Sequence, residues 1–252
     1  MADREQHPHY IEFRRVSKSF ERPVLVDCSF YLDSGQTLAI IGRSGVGKSV
    51  TLSHLMGFLK PDQGRIIVDH QDITAYGEDE LNRVRKKVTM VFQSGALFDS
   101  LSVGENVAFA LEDVGETRPN IAEVVRGLLE MVDIAECGDM YPAELSTGMK
   151  RAVAIARALA AQPEAILYDE PTTMVDPPTS ERICDLIRRL KNQLRLTSVV
   201  VTHDLKLLRK VADQVVFLHE GRVIFFGSLG NLERAEDAHI QEFLALDRFV
   251  EV

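Results

Sequence analysis

Along this chain, short runs of apolar and β-branched residues alternate with longer stretches in which apolar positions recur every three or four residues. The runs TLAII (Thr37–Ile41), VTMVF (Val88–Phe92), AILYD (Ala165–Asp169) and SVVVT (Ser198–Thr202) predict core strands. Five further runs also read as strands: IEFRRV (Ile11–Val16), VLVDCSFYL (Val24–Leu32), RIIVD (Arg65–Asp69), QVVFL (Gln214–Leu218) and RVIFF (Arg222–Phe226). Turn signals such as HEGR at His219–Arg222 make part of that second set antiparallel. Strands interleaved with helical patterns imply an α/β fold with a mainly parallel sheet.

From Gly95 to Ser146 no strand-like run occurs. Instead NIAEVVRGLLEMV (Asn120–Val132) lines Ile121, Val124, Val125, Leu128, Leu129 and Val132 along one stripe, which predicts a helical subdomain inserted into the α/β core. The polar stretch EDVGETRPN (Glu112–Asn120) reads as an exposed loop. AHIQEFLALDRF, near the end, reads as a helix that packs Ile240, Phe243 and Leu244 on its own domain. The expected organisation is a single domain, 1–252, with its core in 1–94 and 152–235, the helical subdomain in 95–151 and a tail in 236–252.

Composition narrows the classes. With 252 residues, 45% of them hydrophobic, the chain can bury one large core, with or without a satellite lobe. Acidic residues outnumber basic ones, 38 to 29, and a net charge of −9 repels a phosphate backbone, which argues against nucleic-acid binding. Cys28, Cys137 and Cys184 fit neither a metal spacing nor a disulfide framework, so a reducing cytosol is expected. The N-terminal MADREQHPHY lacks the apolar region of a signal peptide. No apolar run reaches the roughly 18 residues needed to cross a bilayer, so any membrane association would be by docking.

The candidate chemistry sits at the ends of the core strands. TLAII runs into GRSGVGKS (Gly42–Ser49), a match to G-x-x-x-x-G-K-[ST]. In that pattern the glycines let backbone N–H groups wrap phosphates, Lys48 supplies a fixed positive charge, and the Ser49 hydroxyl can reach Mg²⁺. VTMVF runs into Gln93, AILYD into Asp169 and Glu170, and SVVVT into His203. In a parallel sheet these carboxyl ends share one edge, where ligands bind. Asp169 is expected to hold Mg²⁺ through its water shell, and Glu170, freed from the strand by Pro171, to act as general base on the attacking water. Gln93 would coordinate the metal or the water, and His203 would face the terminal phosphate.

A second helix start, LSTGM (Leu145–Met149), is followed by Lys150 and Arg151. Cations there oppose the helix dipole unless an anion lies in front. The other reading is a solvated basic face with Ser146 as a plain N-cap. Periodicity does not decide between them.

Taken together, GRSGVGKS, Gln93, LSTGM, ILYDEP, MVDP (Met174–Pro177) and VTHD (Val201–Asp204) resemble, in order and over nearly the whole chain, the nucleotide-binding subunit of an ABC transporter. The resemblance implies a P-loop NTPase (RecA-like) core with an N-terminal antiparallel β portion and an inserted helical subdomain. It also implies ATP and Mg²⁺ as ligands and a head-to-tail homodimer. In that arrangement Gly42, Arg43, Ser44, Gly45, Val46, Gly47, Lys48 and Ser49 of one copy, with Phe20 stacked on adenine, hold a nucleotide. Ser146, Thr147, Gly148 and Met149 of the other copy complete the site, and Asp176 crosses the interface. Thr147 and Met149 stand where the family usually has glycine and glutamine.

FQSGALF (Phe92–Phe98), together with Met149, resembles more narrowly the Mla-type ATPases of phospholipid transport. This implies an integral permease docked near Ser94–Glu105, an MCE-domain protein, a small STAS-type regulator and a place on the cytoplasmic face of the inner membrane. An importer ATPase for amino acids or other small solutes is the alternative. A soluble ABC ATPase of translation or DNA repair is disfavoured by the absence of a tandem cassette or coiled-coil insertion.

Overall fold

The strand runs pair as two sheets in a computed structural model, which describes residues 7–112 and 121–245. The loop expected over Glu112–Asn120 lies outside the described residues except for Glu112, which ends a helix. β1 (Ile11–Ser19), β2 (Pro23–Leu32), β4 (Gln63–Val68) and β5 (Gln71–Asp72) form an antiparallel sheet in the order β2-β1-β4-β5. β3 (Thr37–Ile41), β6 (Val88–Val91), β7 (Ala165–Asp169), β8 (Thr197–Val201), β9 (Gln214–His219) and β10 (Arg222–Ser228) form the second, in the order β10-β9-β3-β8-β7-β6. Its strands run parallel except β10, which turns back on β9.

The central strands are unbroken apolar runs because both faces of the sheet are covered. Leu38 and Ile40 of β3, Leu167 of β7 and Val199 of β8 point to one face, against Leu52 and Leu55 of α1 (Lys48–Leu55) and Phe13 of β1. Ile166, Tyr168 and Val200 point to the other, against α5 (Thr147–Ala160) and α6 (Pro177–Leu194). Ala39, Ile41 and Phe217 pack with α7 (Leu205–Val211) and α9 (Ala238–Ala245); α8 (Leu229–Glu233) joins them through Leu232. Ile240, Phe243 and Leu244 are buried there, so the C-terminal stripe covers its own chain.

Between β6 and α5 the described residues hold α3 (Val103–Glu112), α4 (Ile121–Met131) and two short 3₁₀ turns, with no strand among them. Val125 and Leu129 of the expected stripe are buried against Val103 and Val107. Two elements escape the apolar pattern. α2 (Glu78–Arg85) buries only Leu81 and Val84, too few to make a visible stripe, and β5 has two polar residues.

Two strand exits shape the site. After β3, Gly42 takes φ 145° within 2.3 Å of Leu218 O for any added Cβ, so no other residue fits. After β7, Glu170 turns left-handed at φ 48° while its N–H still bonds Val201 O at 2.9 Å. That kink, at Glu170 itself and ahead of Pro171, swings the carboxylate out of the strand's alternation.

Candidate functional site

At the carboxyl edge of the parallel sheet lies a cleft of about 580 Å³, lined by the Gly42–Ser49 loop, Gln93, Glu170 and His203. The loop feeds directly into α1. Its N-cap is Gly47, at φ 106°, with no side-chain cap, so the first N–H groups of the helix face the cleft without a partner from a capping side chain. A side chain at Gly47 would meet Leu25 Cδ2 at 2.8 Å and Val24 O at 2.9 Å.

Lys48 is 8% exposed, and its Nζ donates to Gly42 O (2.9 Å) and Arg43 O (3.2 Å) and stands 3.5 Å from Glu170 Oε1. Unlike a cation buried in the core, this ammonium lines the cleft, where an anion could take the place of one of its carbonyl partners. Glu170 Oε2 accepts from Thr173 Oγ1 at 3.1 Å and lies 2.8 Å from His203 Nδ1. Burial opposes ionisation of Glu170, but the His203 hydrogen bond and charge, Lys48 and the Thr173 hydroxyl outweigh it and hold the carboxyl below its usual range. In return the Glu170 hydrogen bond raises the His203 imidazole above its ordinary value against the opposing effect of burial.

Asp169 behaves differently. Burial raises its carboxyl, opposed by the Ser49 hydroxyl, which donates to Oδ1 at 3.1 Å, and the Glu170 charge adds to the rise. Neighbouring carboxylates with oppositely shifted affinities for protons suit different tasks. Among the described residues no cluster of three or more His, Cys, Asp or Glu could hold a metal alone. Mg²⁺ fits the site only as it binds in nucleotide pockets generally, on one or two protein oxygens plus phosphates and water. Ser49 Oγ and the Gln93 side chain at the cleft would be that pair, with Asp169, which accepts from Ser49 Oγ, reaching the ion through water.

The structure gathers most of the expected groups and leaves some apart. Gly42, Arg43, Ser44, Gly45, Gly47, Lys48, Ser49, Gln93, Glu170 and His203 line one cleft. Val46 packs toward the core, and Phe20 stands 57% exposed on the β1–β2 turn, away from the cleft wall. Val24, Thr173 and Phe243 line the cleft without having been signalled by a motif. Phe243, on α9 and far beyond Thr173 in the chain, arrives only through tertiary packing.

The second helix start is built otherwise. Ser146 caps α5, its Oγ accepting from Met149 N at 3.2 Å, while the Ser146 and Thr147 side chains are exposed. Gly148 leaves room for Thr179, whose Cγ2 would lie 2.2 Å from an added Cβ. Asp176 caps α6 in the same fashion, accepting from Thr179 N at 3.0 Å. Neither sequence reading of the basic pair holds for Arg151. It is 4% exposed and turned inward, with Nη1 on Phe92 O at 3.4 Å, so it is neither a solvated face nor a cation held for an anion.

A family model described as "ABC transporter" matches residues 25–173. The chain is 41% identical over 224 residues to the methionine import ATP-binding protein MetN of Ralstonia nicotianae, covering 86% of this chain and 64% of that protein. It is 39% identical over 222 residues to MetN of Cupriavidus metallidurans, with the same coverages. The chain therefore spans about 64% of the length of these curated relatives. Among solved structures it resembles the dimeric ATP-binding cassette MJ0796 bound to ADP and Pi, at 30% identity and TM-score 0.79, covering 87% of this chain and 98% of that one. It also resembles cbiO1 of Clostridium perfringens, part of the transporter complex cbiONQ, at 29% identity and TM-score 0.82, covering 96% and 97%. These matches correct the narrower Mla resemblance drawn from FQSGALF and Met149. Relatives 37–41% identical over most of the chain are named methionine import ATP-binding proteins, and these matches do not support the lipid cargo, the MCE-domain protein or the STAS-type regulator.

Proposed function

The chain belongs to the ABC transporter family and carries its ATPase domain, and we propose that it powers an importer for an amino acid or a similarly small polar solute. The observation behind this reading is the identity to methionine import ATPases over 86% of the chain. Two copies would work together beneath an integral permease, on the cytoplasmic face of the membrane. Among the described residues no helix is long and apolar enough to cross a membrane, which is consistent with attachment through that permease.

In the proposed cycle the uncapped start of α1 and Lys48 receive the β and γ phosphates of ATP, with Phe20 offering its exposed ring to the base. When bound, Mg²⁺ would neutralise phosphate oxygens, held by Ser49 and Gln93 and, through water, by Asp169. Glu170, kept ionised by His203 and Lys48, takes the proton of the attacking water. His203, bonded to Glu170 and exposed at the cleft, faces the departing phosphate. Ser146 and Gly148 of the second copy would close over the same phosphates, with Thr147 and Met149 beside them and Asp176 at the seam. The helical segment 95–151 would serve as the subdomain that meets the permease, near Ser94–Glu105.

Co-expression of the chain with a permease encoded beside its gene tests the assignment. Co-purification in detergent and ATP-dependent uptake of a labelled amino acid are expected. Co-purification with a permease whose liposomes take up no amino acid would overturn the cargo class while leaving the ATPase intact.

A further inference from the structure

The loop between β6 and α3 carries Gln93 and is fastened at both ends by side chains that lie outside the cleft. Toward α3, Asn106 is fully buried, and its Nδ2 donates to Phe98 O (3.1 Å), Leu101 O (3.0 Å) and Ser102 O (2.9 Å) while Oδ1 accepts from Phe98 N at 2.9 Å. Toward α5, Arg157 donates from Nη1 to Ala96 O at 2.8 Å and from Nη2 to Gly95 O at 3.0 Å. Its guanidinium also lies 5.7 Å from the centre of the Phe98 ring.

Gly95 and Ala96 are both left-handed, with φ 79° and 46°. Two successive residues in that region are unusual, and Ala96 carries a Cβ that disfavours it. The conformation aims both carbonyls at one guanidinium, whose planar fork can take two acceptors at once. Gly95 then lies on the helix itself, an added Cβ reaching Lys150 O at 3.4 Å and Ala154 Cβ at 3.8 Å. Arg151, buried one turn from the helix start, reaches Phe92 O on the near side of Gln93. Two arginines of α5 thus hold carbonyls on either side of Gln93, and the same helix begins with Ser146 and Gly148.

We infer that Arg157 is a positioning residue that, assisted by Arg151, locks the Gln93 loop to the signature helix so that the two move as one body. The consequence is that Gln93 reaches its place in the cleft only in step with α5. This deepens the reading above, since it assumes that Gln93 assists hydrolysis. Lysine at 157 would keep the charge but lose the fork and release one carbonyl.

The test uses the full chain in complex with its permease. In Arg157→Lys and Arg157→Ala, hydrogen exchange at the amides of residues 94–98 should quicken at least about tenfold, while amides in the middle of α5 keep their protection. Unchanged exchange in the loop would overturn the latch. In parallel, kcat for ATP should fall about tenfold in Arg157→Ala with KM within about twofold, and the loss should vanish in a Gln93→Ala background. Equal losses with and without Gln93 would overturn action through that residue. Full activity of Gln93→Ala alone would instead remove Gln93 from hydrolysis, and the exchange result would decide the latch by itself.

Discussion

Two helix starts in this protein look alike in composition and differ in construction. The start of α1 has no capping side chain, a left-handed Gly47 and a buried Lys48 beside two carboxylates and a histidine. The start of α5 is capped by Ser146, is exposed, and has its nearest buried cation, Arg151, turned away into the protein. The first opens on a cleft assembled within one chain. The second is a satisfied helix end that gains a ligand only if something is brought to it. The difference teaches that small and hydroxyl residues ahead of a helix do not by themselves make an anion site within one chain, where uncapped backbone donors and a facing cation are what set the first start apart.

The comparison can be broken most strongly at the first start. Glu170→Gln should leave nucleotide binding in place and cut turnover by about 10²–10⁴-fold, the usual worth of a general base. Turnover within a few-fold of the parent in single-turnover assays would take the proton-accepting role away from Glu170.

A smaller effect sharpens the second start. The Ser146 hydroxyl accepts from Met149 N and still has its proton to donate. Ser146→Ala should cost about 1 kcal/mol of cap stability, a fall of about 2–4 °C in melting temperature for a chain of this size. ATP hydrolysis by the permease complex should also drop about tenfold or more if a second copy recruits that hydroxyl. A lowered melting point with undiminished hydrolysis would confine Ser146 to capping.

Thr147→Gly should matter less. The Thr147 side chain is exposed at the first helical position, so hydrolysis is expected to stay within about threefold. Abolished turnover there would show that the threonine takes part directly.

The smallest effect is on pH dependence. His203 is raised by Glu170, so its contribution to stability is complete below about pH 6.5, the ordinary histidine value, and fades as pH climbs through the higher folded value. Glu170 is lowered, so its contribution is complete above about 4.3 and fades as pH falls through the lower folded value. Both are therefore fully present between about pH 4.3 and 6.5. His203→Gln should flatten the loss of melting temperature between about pH 6.5 and 8. An identical slope in the variant would mean the pair adds nothing measurable.

Much of the architecture was legible from pattern. Runs such as TLAII and SVVVT are recognisable because strands buried on both faces have no polar positions to disguise them. The glycine-rich loop was legible because its backbone geometry restricts it to few residues, as the close approach of Leu218 O to Gly42 illustrates. α2 was not legible, having only two buried residues, and the left-handed kink at Glu170 was not, since nothing local requires it. Arg151 was misread because a basic residue one turn into a helix looks the same whether it meets solvent, an anion or a buried carbonyl. The FQSGALF string pointed to the wrong relatives, because a likeness over seven residues weighs less than 39–41% identity over 222–224 residues.

By itself, the sequence determined the alternation of buried strands and helices, the phosphate loop and the polar residue that follows each core strand. These depend on interactions within a few residues, or on burial that shows as an unbroken apolar run. Only the tertiary structure decided how the shared edge was furnished. It set Glu170 between Lys48 and His203, brought Phe243 to the cleft wall and laid Arg157 across the Gln93 loop. Such contacts join residues far apart in the chain, and local preference carries no information about which distant partner a charge will meet.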